Sequence, residues 1–278
     1  MTNRKQTILY IICAYAFFWI AFSLIGVVVM LVVEDALLFQ ETAPMQLMVA
    51  FAAWTPTFAL FILFKKLYPG GTIKEFYKNA FRERLNVKLL FCITTIQLLA
   101  FFGGVAIAAL RGEVSFPNLL DLSLPTLAMG FVFTLIQGPT GEQSGWRGFL
   151  QPRMEERHGV IKASIIVGLI WGFWHTPLWF TQGYGGVELI QFILAYMAGI
   201  TSAAVIIGIC YNRCRNLFVP IWIHFMFNFT LLMFTGDTLD LLLGYAVLYV
   251  FVTIGYVIWH KSRPQTPRPT QILPCDCT

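Results

Sequence analysis

Long apolar runs alternate with short polar ones along the whole chain. Eight apolar stretches stand out, at 8–33, 45–64, 89–110, 125–150, 160–180, 188–211, 217–234 and 241–259. Each is close to the ~20 residues that a helix needs to cross about 30 Å of hydrocarbon, the seventh being short. No ten-residue alternation of facing positions is present, which argues against a membrane β-barrel. The pattern predicts an all-α membrane protein of about eight transmembrane helices. The first run follows Arg4 and Lys5. It is too long for a signal-peptide core and no small-residue cleavage site follows it, so it reads as an uncleaved first span.

The polar segments give the orientation. Two basic residues lie at the N-terminus, seven in 65–88 (Lys65, Lys66, Lys74, Lys78, Arg82, Arg84, Lys88) and four in 147–162 (Arg147, Arg153, Arg157, Lys162). Arg213 and Arg215 follow the sixth stretch, and Lys261, Arg263 and Arg268 lie in the tail. With eight spans, only Arg111 among the 19 falls on the other side. Cytoplasmic segments are enriched in Lys and Arg, so both termini are expected in the cytoplasm. Segment 65–88 also spaces Tyr77, Phe81 and Leu85 as one helical face, which suggests an amphipathic helix on the inner leaflet. A basic loop is the plainer alternative, and neither reading calls for nucleic acid.

Composition narrows the class. Hydrophobic residues make up 58% of the chain and charged ones 12%, against about 25% charged in an ordinary soluble domain. A soluble enzyme, a disordered chain and a secreted disulfide scaffold are excluded. Residues 1–260 read as one polytopic membrane domain, and 261–278, rich in Pro, Thr and Gln, as a disordered cytoplasmic tail. The six cysteines (Cys13, Cys92, Cys210, Cys214, Cys275, Cys277) have no zinc-site spacing and read as ordinary small residues.

Polar groups inside apolar spans are costly, roughly 2.5–3.5 kcal/mol for an ionisable one, and usually serve a function. Three places qualify. In the fourth stretch, Gly138-Pro139-Thr140-Gly141-Glu142-Gln143-Ser144-Gly145-Trp146-Arg147 carries an acid just after a helix-weakening proline, with Gln143 and Arg147 four apart on one face. In the fifth, His175 lies in Trp171-Gly172-Phe173-Trp174-His175-Thr176-Pro177, and Gly168 and Gly172 offer a small-residue face to a neighbouring helix. In the seventh, His224 and Asn228 are one helical turn apart.

Jointly these motifs resemble the CPBP (Abi) intramembrane proteases, which include the type II CAAX prenyl endopeptidases. That family shows Glu-Glu-x-x-x-Arg, aromatic-x-x-x-His and His-x-x-x-Asn in this order on separate spans. Here the matches are Glu142-Gln143-x-x-x-Arg147, Trp171-x-x-x-His175 and His224-x-x-x-Asn228. The resemblance covers about 124–234, the catalytic core. It departs at Gln143, where the family has its second Glu, so Gln143 is expected to hydrogen-bond Arg147 without pairing its charge.

The resemblance implies an endopeptidase with Glu142, His175, His224 and Asn228 as catalytic residues and Gln143 and Arg147 in support. Glu142 would take a proton from water, His175 would hold that water, and His224 and Asn228 would stabilise the oxyanion. No cofactor is required. A zinc version held by Glu142, His175 and His224 is the rival, although no His-Glu-x-x-His pattern is present. Expected partners are a peptide or membrane-protein substrate and the lipid bilayer. The implied setting is the cell membrane, multi-pass, with the site reached from the cytoplasmic side. Prenyl-protein or peptide maturation and bacteriocin self-immunity fit equally. An ion- or proton-coupled transporter and a non-catalytic membrane scaffold are the competing functions.

Overall fold

The computed structural model describes residues 3–32 and 43–262. Those residues are all-α, with one isolated antiparallel bridge between Leu120 and Phe234. Four helices are long and apolar enough to cross a membrane: α1 (Asn3–Val32), α6 (Val87–Gly112), α11 (Gly186–Cys214) and α13 (Thr238–Ser262). At 1.5 Å per residue they run about 38–45 Å. In hydrocarbon the helix is the one open-chain form that satisfies its own backbone, and these four sequences have nothing to interrupt it. Most of the expected tail 261–278 lies outside the described residues.

The other four expected spans are built from shorter pieces, and prolines break three of them. The second comprises α2 (Ala43–Ala53), α3 (Thr55–Ile62) and α4 (Phe64–Leu67). Pro56 cannot donate to the carbonyl of Ala52, and the hydroxyl of Thr55 donates to it instead at 2.8 Å. Between the second and third lies the short α5 (Ile73–Ala80). The fourth comprises α7 (Leu124–Ile136) and α8 (Gly138–Gly145), then one wide π turn at Trp146–Leu150 that leads into α9 (Gln151–Trp174). Pro139 frees the carbonyl of Leu135, which accepts from the Thr140 hydroxyl at 2.7 Å. After α9 the fifth continues as α10 (Thr176–Trp179). There Pro177 frees the Phe173 carbonyl, and the Thr176 hydroxyl donates to it at 2.5 Å. The seventh is the 15-residue α12 (Phe218–Leu232).

Gly159, at φ 69° and ψ 170°, interrupts α9. A left-handed φ is readily tolerated only by glycine. The chain folds back there: Gln151 meets Ser164 (2.9 Å) and Glu142 meets Trp171, contacts whose midpoints both lie just before Gly159. The arm before the turn therefore reaches well past Leu150, which carries Glu142 away from the turn and level with the end of the returning arm.

The returning arm packs on α11 through the two glycines singled out from the sequence. A Cβ on Gly168 would lie 2.8 Å from the Ala204 Cβ, and one on Gly172 would lie 2.5 Å from the Met197 sulfur. At Gly168 no larger residue fits without moving α11, whose Thr201 backbone would be 3.0 Å away, while at Gly172 the Met197 side chain would have to swing aside.

The basic segment differs from its expected form. Between α4 and α6 its helix is α5 alone, opened by a Thr72–Glu75 capping box. Residues 81–85 leave the helix because the loop after α11 binds their backbone: the Leu217 amide donates to the Ala80 carbonyl (2.8 Å) and the Asn216 side-chain amide to Glu83 (2.5 Å). Tyr77, Phe81 and Leu85 therefore do not form one helical face. Phe76 is buried instead, next to Gly148.

Arg153 binds this end of the bundle together. Its guanidinium donates to Asn3 (3.1 Å), to Gln6 (2.7 Å) and to the Leu67 carbonyl (2.9 Å), and it lies 4.9 Å over the Phe149 ring. Arg153→Ala strips donors from three acceptors at once. A loss of about 2–3 kcal/mol is expected, seen as a lower thermal midpoint in detergent, with Arg153→Lys recovering only part of it.

Candidate active site

The site begins at the break between α7 and α8. Gln137 leaves helical geometry there (φ −66°, ψ −95°), and Gly138 starts the next helix. One turn on, Glu142 is buried. Its Oε2 accepts from the indole N–H of Trp146 at 3.3 Å and from that of Trp171. Its Oε1 is left facing Gly138. An ideal Cβ on Gly138 would stand 2.9 Å from Glu142 Oε1, 3.1 Å from His224 Cε1 and 3.2 Å from Asn228 Nδ2. An acid from α8 and an imidazole and an amide from α12 thus converge on one point, open only because residue 138 lacks a side chain.

His224 is held on both sides. Its Nδ1 lies 2.9 Å from Gln143 Nε2, and its Nε2 lies 3.1 Å from Asn228 Nδ2. Trp171 packs against it edge to face, 4.8 Å between centroids. A neutral imidazole has one donor and one acceptor, so one of the two amides must present its oxygen to it. Gln143 Oε1 is buried with no partner among the described residues, so a flip of that amide would satisfy the oxygen and place the proton on Nδ1.

His175 ends the returning arm of α9. Its Nδ1 lies 2.9 Å from the Trp171 carbonyl, which can only accept. The proton is therefore on Nδ1, and Nε2 of the neutral ring is free to accept. Trp174 and Tyr196 flank the ring at 4.5 and 5.8 Å.

Arg147 is placed otherwise than its spacing suggested. It does not meet Gln143. The π turn beginning at Trp146 widens the helix and rotates Arg147 away, so Gln143 bonds His224 instead. Arg147 is fully buried, 4.8 Å over the Trp171 ring, and its three guanidinium nitrogens have no hydrogen-bond partner among the described residues. Trp171 thus has the cation on its face and the Glu142 carboxylate on its N–H, and both contacts suit the indole's charge distribution.

A cavity of about 310 Å³ lies alongside, lined by Trp171, His175, His224 and Asn228 and by aromatic and aliphatic side chains. Glu142 is not on its wall but behind it, towards Gly138.

Comparison with known proteins points to a membrane peptidase family. The family described as type II CAAX prenyl endopeptidase Rce1-like matches residues 122–230, a range that contains every residue of the site. CAAX prenyl protease 2 of Methanococcus maripaludis is 26% identical over 212 residues, covering 71% of this chain and 78% of that protein. Both support the resemblance to the CPBP family.

The CPBP motifs named the site residues but not their fastening. Trp146 and Trp171 as donors to the carboxylate were missed, as was the role of Gly138. A usable signal was present: an indole N–H in a bilayer needs an acceptor, and Glu142 is the acid of that stretch. Metal fit is poor. Among the described residues no three His, Cys, Asp or Glu side chains are gathered as ligands, and one Glu142 oxygen and both nitrogens of His224 already have partners.

The CPBP departure at residue 143 is testable. A carboxylate can only accept, so Gln143→Glu fixes the proton on His224 Nδ1. The expected result is a single Nδ1-protonated tautomer of His224 by nitrogen NMR, with the fold unchanged. A ring protonated on Nε2 would mean that residue 143 does not govern the tautomer.

Proposed function

We propose that the protein is a CAAX-type intramembrane endopeptidase in which Glu142 activates a water molecule. The observation that carries this reading is the convergence of Glu142 Oε1, His224 and Asn228 on the space beside Gly138. A water there is within reach of the base, and Asn228, which gives one amide N–H to His224, has its other N–H for the developing oxyanion. The water attacks the scissile carbonyl and its proton passes to Glu142. That proton then leaves with the amine, so no acyl-enzyme forms. His175, through its free Nε2, holds the water. Arg147 and Trp171 position the carboxylate.

In this reading the reaction is metal-free, as the engaged donor atoms favour. Purified active protein is expected to keep its activity in a chelator, and stoichiometric zinc whose removal abolishes cleavage would overturn this. The chain crosses the bilayer eight times, with its broken helices as four of the crossings and both termini in the cytoplasm. The Lys and Arg distribution supports that arrangement.

The test compares the membrane and secreted peptides of cells making the protein or its Glu142→Ala variant, by mass spectrometry. Fragments present only with the unaltered protein are expected. Identical fragment sets would sink the peptidase reading.

A further inference from the structure

No Lys, Arg, Asp or Glu side chain lines the cavity beside the site. Negative charge that develops on a substrate oxygen there meets no cation on the wall, so neutral hydrogen-bond donors must carry it. Asn228 supplies one such donor, and oxyanion sites are built from several. Most of the other polar groups on the wall are engaged. The Trp171 N–H donates to Glu142, and both nitrogens of His224 have partners. The His175 Nδ1 proton goes to the Trp171 carbonyl. The Tyr245 hydroxyl lies 3.2 Å from that of Tyr249 and 3.4 Å from that of Thr230. The Trp179 N–H is shut away from the cavity. Gln182 and Thr238 are exposed, where water competes for them.

Tyr196 remains. Its hydroxyl makes no hydrogen bond to any described residue, yet it is not sealed from the cavity that the residue lines. The ring is held in place all the same. Tyr196, in the first half of α11, stacks on Phe192 one turn earlier at 5.9 Å between centroids, and meets His175 and Trp179 edge to face at 5.8 and 6.4 Å. Three ring contacts thus orient a phenol that no hydrogen bond orients. The charge that acts on this phenol is that of Glu142, so hydroxyl and carboxylate are within electrostatic reach of each other.

We propose that Tyr196 is a further catalytic residue, the second donor to the oxyanion. The inference rests on the peptidase reading and adds a residue to it. As water attacks the scissile carbon, the C=O π pair moves on to the carbonyl oxygen, which accepts from the Tyr196 O–H and from the spare Asn228 N–H. Both donors keep their protons. When the C–N bond breaks, the pair returns to form C=O and the departing amine takes its proton from Glu142. The bond to Tyr196 strengthens as charge builds on the oxygen, so it raises kcat more than it lowers KM.

The test is Tyr196→Phe in the full chain. It removes one oxygen, keeps the three ring contacts and leaves no other group without its hydrogen bond, so the thermal midpoint in detergent is expected to stay. The probe is an internally quenched prenylated peptide ending in a CAAX sequence. With it, kcat is expected to fall about 10²-fold, the scale of losing one oxyanion donor, with KM little changed. A fall in kcat of less than about tenfold, or a loss confined to KM, overturns the inference. Glu142→Gln, assayed alongside, separates the two failures. If Glu142→Gln is inactive and Tyr196→Phe is not, only the role of Tyr196 falls. If neither slows cleavage, or if the unaltered protein cleaves neither the probe nor any cellular peptide, the peptidase reading falls and this inference with it.

Discussion

Glu142→Gln should lower the cleavage rate by about 10³-fold, the scale set by loss of a general base. The substitution is chosen because it leaves the surroundings intact. The amide oxygen can still accept from Trp146 and Trp171, which now bond Glu142 Oε2, and the volume is unchanged. Thermal stability in detergent is therefore expected to match that of the unaltered protein, and KM to change little, with the loss confined to kcat. A variant that keeps a tenth of the activity would remove Glu142 from the role of base. A variant that unfolds would say nothing about chemistry, which is why Gln is preferred to Ala for the kinetic comparison.

Gly138→Ala should separate activity from stability. Gly138 has ordinary negative φ, so alanine meets no backbone strain there and is the better helix former. Its methyl group, however, would stand 2.9–3.2 Å from Glu142, His224 and Asn228, in the space assigned to the reacting water. These are side-chain ends that can yield by a few tenths of an ångström, so folding survives. The reacting water itself must move further to clear the methyl group, and displacements near 1 Å can cost roughly 10²-fold. The expected outcome is a drop in kcat of about that size with an unchanged or higher thermal midpoint. Full activity in Gly138→Ala would move the reaction away from this point.

The helical class and the residues of the candidate site were legible because the bilayer makes polar positions conspicuous. Glu142, His175, His224 and Asn228 stand out against apolar neighbours whatever the tertiary fold. Gly168 and Gly172 were legible for a related reason, since small residues four apart leave a groove that another helix fills. What was not legible depends on contacts distant in sequence. Gln143 and Arg147 have the right spacing for a bond, yet the π turn rotates one away while His224, 81 positions on, takes the other. Tyr77, Phe81 and Leu85 have the spacing of a helical face, yet backbone bonds from Asn216 and Leu217 end the helix first. Local spacing states what a helix would do if it continued, and in both places a partner from elsewhere in the chain intervenes.

The three prolines that fracture the spans each have a threonine beside them, and its hydroxyl seals the carbonyl that the proline exposes. Each fracture is thus self-contained. A nascent segment can enter lipid already bent, without waiting for a later helix to cover its bare oxygen, so the kinks are present before the bundle assembles.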